Sequence, residues 1–283
     1  MNPAMKRRGK RIALLAGAGV LAVAALAGIY WEKLAGWAKF VYLFESIGPN
    51  EQGYPEYRHR QTGIIMLRVP GGTFIMGSPA GEEGRTRDEL QHEVTLSPYM
   101  IAKYELTHEA WKRVMGSAPP ANSFAGEGDL HPARGISWNL CRNFCERTGL
   151  NFPTESQWEY ACRAGSPGSF AGTGTLDEMG WHQGNSGIQT HPVGTKKPNG
   201  FGLFDMHGNV SEWCADVMDR EFYSAPESSG PDPLCVRMGN QRVGRGGSAF
   251  HEAAICRSAA RKSDNATDMD SDLGFRPAYY PLP

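Results

Sequence analysis

Residues Ile64-Ile65-Met66-Leu67-Arg68-Val69-Pro70-Gly71-Gly72-Thr73-Phe74-Ile75-Met76-Gly77-Ser78 decide the fold class. An apolar run of strand-forming residues ends at Pro-Gly-Gly and a second short run follows at once. That order reads as a strand, a turn and a hairpin partner. Downstream, Val94 to Tyr104 reads as another strand pair, broken near Ser97-Pro98. Helices come next. Thr107 opens one that contains Glu109 and Trp111, and Ser137 opens another through Trp138, Leu140, Cys141, Phe144 and Cys145 to a stop at Gly149. Thr154 and Gln157 make a capping-box pattern ahead of Trp158, Tyr160 and Ala161. Beyond Gly165 the chain is rich in Gly, Pro and Asn with short apolar runs. These elements predict one α+β domain over residues 62–283, with long ordered loops. The 35 glycines and 19 prolines favour such a loop-rich fold over a helix bundle or a parallel sheet.

With 40% hydrophobic and 21% charged residues, the chain has the make-up of a folded protein. A net charge of −1, with no basic stripe after residue 12, excludes a general field for nucleic acid.

The N-terminus divides into a basic stretch (residues 1–11), an uncharged run (12–31) and an amphipathic segment with a linker (32–61). The run from Ile12 to Trp31 is twenty residues long, and Lys6, Arg7, Arg8, Lys10 and Arg11 precede it. As a helix it would rise about 30 Å, the thickness of a bilayer core. It is therefore expected to be a transmembrane anchor, with the basic end in the cytoplasm and the domain outside it. Ala25-Leu26-Ala27 also fits the cleavage site of a signal peptide, so that alternative stands beside the anchor. From Lys33 to Ile47 a shorter apolar pattern includes Trp37, Phe40, Val41, Leu43 and Phe44. It suits an amphipathic helix on a membrane surface or against the domain. The polar, turn-rich Pro49 to Gly63 reads as a linker.

Several blocks follow one another across the domain: Val69 to Ser78, His92-Glu93-Val94-Thr95-Leu96, and Lys103-Tyr104-Glu105-Leu106-Thr107. Then come Pro153 to Ala161, His191-Pro192-Val193-Gly194 and Pro198 to Met206. The last are Gly208-Asn209-Val210-Ser211-Glu212-Trp213, Arg245-Gly246-Gly247-Ser248 and Gly274-Phe275-Arg276. In this order the chain resembles the formylglycine-generating, or sulfatase-modifying factor, family. The resemblance implies a C-type-lectin-like fold. Relatives include copper-dependent cysteine oxidases, ergothioneine-type sulfoxide synthases and pyoverdine-maturation proteins, so the fold leaves the chemistry open.

In the copper oxidases two cysteines after Arg-Gly-Gly-Ser hold Cu(I), a soft ion suited to thiolates. Here His251 stands at the first cysteine position, Glu252 at the following histidine position, and Cys256 five residues after His251. The resemblance makes His251, Glu252 and Cys256 the catalytic candidates, with formylglycine synthesis itself not expected. A buried structural thiol is the alternative for Cys256, and a solvated loop for the other two. By the same resemblance Trp213, Ser248, Arg261 and Asn265 line a substrate groove, although Trp213 also reads as core packing.

The resemblance further implies structural calcium held by Asn209, the Val210 carbonyl and Glu212. The alternative for Asn209 is a turn residue, and for Glu212 a buried salt bridge. Asn185 and Ser186 match the start of a second ion site whose downstream aspartate insertion is missing. Copper or iron has no thiolate pair behind it. Asp268, Asp270 and Asp272 fail the EF-hand pattern, because Leu273 and Tyr279 stand where glycine and glutamate are needed, so they read as a solvated acidic loop. The six cysteines lie in a domain where disulfides are permitted, yet the one-turn spacing of Cys141 and Cys145 suits packing.

The expected protein is thus an exported, membrane-anchored enzyme of oxidative or maturation type, acting on a peptide or small molecule. The alternatives are a non-catalytic lectin-like binding ectodomain and a sulfatase activator that converts the cysteine of Cys-x-Pro-x-Arg peptides.

Overall fold

The computed structural model describes residues 31–120 and 127–280. The expected anchor, save Trp31, lies outside the described residues. Among those residues no helix is long and apolar enough to cross a membrane. Residues 31–43 form helix α1, which belongs to a unit separate from Phe44–Leu282.

The amphipathic helix ends at Leu43, short of the expected Ile47, because Phe44 begins a strand. The expected linker is a strand pair: β1 (Phe44–Pro49) runs antiparallel to β2 (Pro55–His59). Its turn signals belong to the tight connection between them. The Asn50 side chain accepts from Gln52 N (3.1 Å) and Tyr54 N (2.9 Å) and donates to Phe201 O (2.8 Å), pinning the turn to the domain.

Strand β3 (Ile65–Val69) follows, then β4 (Gly72–Met76), β5 (His92–Leu96) and β6 (Tyr99–Ala102). Here the hairpin expectation is corrected. β3 pairs with β6 and β4 with β5, all antiparallel. Val69 faces Tyr99, and Gly72, further along one strand, faces Leu96 on the other, with the register unbroken between. The four strands are two long, bent arms facing each other, interrupted where Pro70-Gly71 meets Ser97-Pro98. Proline lacks the amide that a ladder needs, and a Cβ on Gly71 would lie 2.5 Å from Leu96 O. The Pro-Gly-Gly signal marks a break between sheets, not a reversal.

Helices α2 (His108–Met115), α3 (Trp138–Thr148) and α4 (Glu155–Arg163) start at the expected caps Thr107, Ser137 and Thr154, and Gln157 closes the capping box of α4. After the short α5 (Leu176–Met179), β7 (Gly180–Trp181) pairs in parallel with β8 (His207–Gly208). Then come β9 (Ser211–Val217), β10 (Gln241–Arg245), β11 (Arg261–Asn265), β12 (Leu273–Gly274) and β13 (Ala278–Tyr279). The first sheet has the order β1-β2-β3-β6-β13 and the second β11-β10-β9-β12. The core joins Leu67, Val69, Val94, Tyr99 and Ile101 to Trp158, Leu203, Met206, Cys214 and Val243. The expected α+β architecture holds, and the edge of the second sheet carries the site.

Candidate functional site

The site begins at the end of β10. Arg245 is fully buried and donates to the carbonyls of Ser258 (2.8 Å), Ala259 and Ala260 (both 2.9 Å), with the Glu159 carboxylate as its ion partner. Gly246 (φ 89°) and Gly247 (φ 68°) then take the left-handed conformation that disfavours side chains. A Cβ on Gly247 would lie 2.7 Å from Cys256 Sγ and 2.9 Å from Ile255 O. The loop therefore lies directly on the 3-10 turn Ala253–Cys256. Ala249 N donates to Asn209 O (3.0 Å), tying the loop to the start of β9.

Held this way, Ser248 and His251 meet. The buried Ser248 Oγ lies 2.9 Å from His251 Nδ1 and also accepts from Phe250 N (3.3 Å). On the other side of the ring, His251 Nε2 lies 3.5 Å from Asp272 Oδ2, and the imidazole is 28% exposed. Asp272 Oδ2 takes the Lys262 ammonium at 2.9 Å, and Lys262 also lies 3.4 Å from Asp264. The result is a line, Ser248–His251–Asp272–Lys262, with one open edge of imidazole. Burial holds His251 below the usual histidine value of 6.5; Lys262 pushes the same way, while Asp272 pulls it back up. Near neutral pH the ring is thus an uncharged base.

Sequence reasoning placed Ser248 and His251 here but missed Asp272, Lys262 and Asp264. Asp272 is buried, unlike the exposed Asp270 of the same acidic loop. The legible signal lay in β11: neighbours on a strand face opposite ways, so Lys262 and Asp264 share one face and Arg261 takes the other.

The remaining candidates are not brought together. Glu252 is exposed at the start of the 3-10 turn. Cys256 is buried with Sγ 3.8 Å from Ser248 O, and burial pushes its thiol up to about 12. Trp213 is wholly buried and donates to Ile136 O (2.9 Å), so core packing displaces the groove reading. Arg261 grips Glu155 with two bonds (2.7 and 2.8 Å) beneath the Tyr223 ring, inside the protein rather than on a groove wall. Asn265 is exposed and closes a turn on Asp268 (2.9 and 3.0 Å).

The side-chain oxygens expected to bind calcium are engaged within the protein. Glu212 accepts from Arg276 Nη2 (2.7 Å), Arg276 Nε (2.9 and 3.1 Å) and Trp158 Nε1 (2.7 Å). Asn209 Oδ1 accepts from His191 N (2.9 Å), while its Nδ2 donates to Glu105 Oε2 (2.6 Å), and Val210 N donates to Glu105 Oε1 (2.9 Å). Asn185 Oδ1 accepts from His182 N (2.9 Å), and Ser186 Oγ donates to Ala249 O (2.6 Å). Glu212, held by Arg276 and Trp158, and Asn209 Oδ1, held by the His191 amide, do not fit calcium: they frame the loops. Among the described residues no group of three or more His, Cys, Asp or Glu is arranged for a metal, and a protonated, buried Cys256 does not suit copper either. All six cysteines are buried free thiols.

Residues 51–280 match the family described as "Sulfatase-modifying factor enzyme 1-like domain". The chain belongs to the sulfatase-modifying factor family. Within it, the chain is 30% identical to the formylglycine-generating enzyme of Streptomyces coelicolor, over 74% of this chain and 87% of that protein. Among solved structures, PvdO from Pseudomonas aeruginosa is similar with a TM-score of 0.67 and 28% identity, covering 83% of this chain and 97% of that one. Treponema denticola variable protein 1 is similar with a TM-score of 0.68 and 26% identity, covering 79% and 98%. Relatives thus include a protein named for formylglycine generation and others that are not, and this sulfatase-modifying factor family protein has His251 and Glu252 at the two positions where the resemblance expects a cysteine and a histidine.

Proposed function

We propose that this sulfatase-modifying factor family protein is an extracytoplasmic, membrane-attached enzyme that matures a peptide or small molecule by proton transfer at His251. The observation that carries the reading is the Ser248–His251–Asp272–Lys262 line at the end of the Arg-Gly-Gly-Ser loop. With Nδ1–H donated to Ser248 Oγ, the ring is fixed and Nε2 is left as the base. Its half-open edge is where a substrate proton can arrive, and Asp272 at 3.5 Å stabilises the imidazolium that forms. Lys262 balances Asp272 beforehand, so the ring stays neutral until that step. The basic residues from Lys6 to Arg11 ahead of the uncharged run support the extracytoplasmic placement.

The test uses the full chain in detergent, added to an extract of exported peptides and small molecules and followed by mass spectrometry. The wild type should convert a defined species, read as a shift in its mass or its chromatographic retention, and His251→Ala should slow that conversion about 100-fold or more. An unchanged rate with His251→Ala overturns the assignment. Retention of a ligand without any conversion would replace the enzyme by a binding module.

A further inference from the structure

A cavity of about 270 Å³ lies between the turn joining β2 to β3, the Tyr104–Glu105 segment and the start of α2, on elements that carry no part of the Ser248–His251 line. Two guanidiniums stand at its wall. Arg58, on β2, makes neither an ion pair nor a side-chain hydrogen bond among the described residues. Arg113, one turn along α2 from Glu109, donates Nη2 to that carboxylate (2.7 Å), which leaves its other N–H groups for a ligand. Gly63 lets this guanidinium close over the turn: its φ is 78°, and a Cβ there would lie 3.0 Å from Arg113 Nη1. The acids of the wall do not cancel the charge. Glu109 is shared with Arg113, and the buried Glu105 takes Asn209 Nδ2 (2.6 Å) and Val210 N (2.9 Å). Burial, with Asp205 and Glu212 adding to it, holds the Glu105 carboxyl well above the usual carboxylate range. The hydroxyls are taken as well, Thr62 Oγ1 by His59 Nδ1 (2.9 Å) and Thr107 Oγ1 by Ala110 N (3.3 Å). Ile64, Ile65 and Ala110 make the apolar part of the wall. What remains uncommitted is a pair of cationic donors beside an apolar surface.

We infer that this cavity binds a small organic carboxylate, its oxygens on Arg58 and Arg113 and its apolar body against Ile64, Ile65 and Ala110. The planar guanidinium fork matches a planar carboxylate, and the apolar wall selects an organic acid over inorganic phosphate. The volume lies near the lower edge of the range of about 300–1,000 Å³ usual for ligand pockets, so the acid is compact. The site is independent of the reaction proposed at His251.

The experiment titrates the full chain, in a neutral detergent, with 4-fluorobenzoate and follows it by fluorine NMR. Saturable binding is expected. The uncharged 4-fluorobenzamide, of the same shape, should bind about 10-fold or more weakly, and inorganic phosphate, which lacks an apolar body, should compete poorly. Arg58→Gln and Arg113→Gln should each weaken 4-fluorobenzoate about 10-fold. Both side chains are exposed, so the fold stands without them, and unchanged circular dichroism checks this. His251→Ala should bind as the wild type does. Absence of saturation overturns the inference, as does equal binding of the amide or binding that both glutamine variants leave unchanged. Loss of binding in His251→Ala would move the acid to that residue and overturns it too. Acetyl-trialanine, which presents a peptide chain end, should displace 4-fluorobenzoate less well than benzoate does; stronger displacement would assign the cavity to a peptide C-terminus instead of a small acid.

Discussion

The proposed function turns on His251, and its neighbours explain why the other two candidates fall away. Cys256 sits five residues on but beneath Gly247, where burial holds its thiol protonated. Glu252 points into solvent at the start of a turn. Ser248 and His251 were legible because they follow an Arg-Gly-Gly run whose position in the sequence announces the loop. Asp272 was not legible, because a partner brought in from another strand leaves no local spacing to read. In the full chain, NMR titration of the His251 imidazole should give a midpoint below 6.5, so the base is available at neutral pH and lost as the medium turns acidic. Because Asp272 favours the charged ring, Asp272→Asn should lower that midpoint further. A wild-type midpoint at or above 6.5, or one that Asp272→Asn leaves in place, would contradict the geometry.

At the scale of elements, what could be read depended on how far the deciding contact lies along the chain. Helix caps are local: Thr107, Ser137 and Thr154 bond to amides three residues on, and the helices start there. Strand pairing is not local. Pro70-Gly71-Gly72 has the composition of a hairpin turn, yet it lies across from Ser97-Pro98, and both breaks serve to pass one ribbon from sheet to sheet. The Gly246-Gly247 element carries a second prediction. Gly247→Ala forces a Cβ to within 2.9 Å of the Ile255 carbonyl in a left-handed backbone, and should cost about 2–5 kcal/mol in urea unfolding. Gly116→Ala has the same kind of backbone (φ 77°) but open space around it, and should cost only about 1–2 kcal/mol. Equal losses in the two variants would mean that the Ser248 loop does not rest on the 3-10 turn.

Across the whole molecule, charge buried in pairs does the work that the sequence reading gave to calcium. Glu212 with Arg276, Glu155 with Arg261 and Glu159 with Arg245 and Arg163 lie in the interior and bind loop carbonyls or amides that regular structure leaves unpaired. Such pairs carry no hydrophobic period, so a reading of periodicity passes over them, and a carboxylate in a loop looks the same whether it awaits a cation or an arginine. The resemblance to the sulfatase-modifying factor family reached the correct fold through those same loops. It did not carry over the reactive positions, where His251 and Glu252 stand in place of a cysteine and a histidine. The central claim is that this family scaffold has exchanged a paired-thiolate metal centre for a histidine base. The direct measurement is to incubate the full chain with Cu(I), oxygen and a Cys-x-Pro-x-Arg peptide and to record the peptide mass. The account predicts an unchanged peptide, and conversion of its thiol to an aldehyde would contradict it.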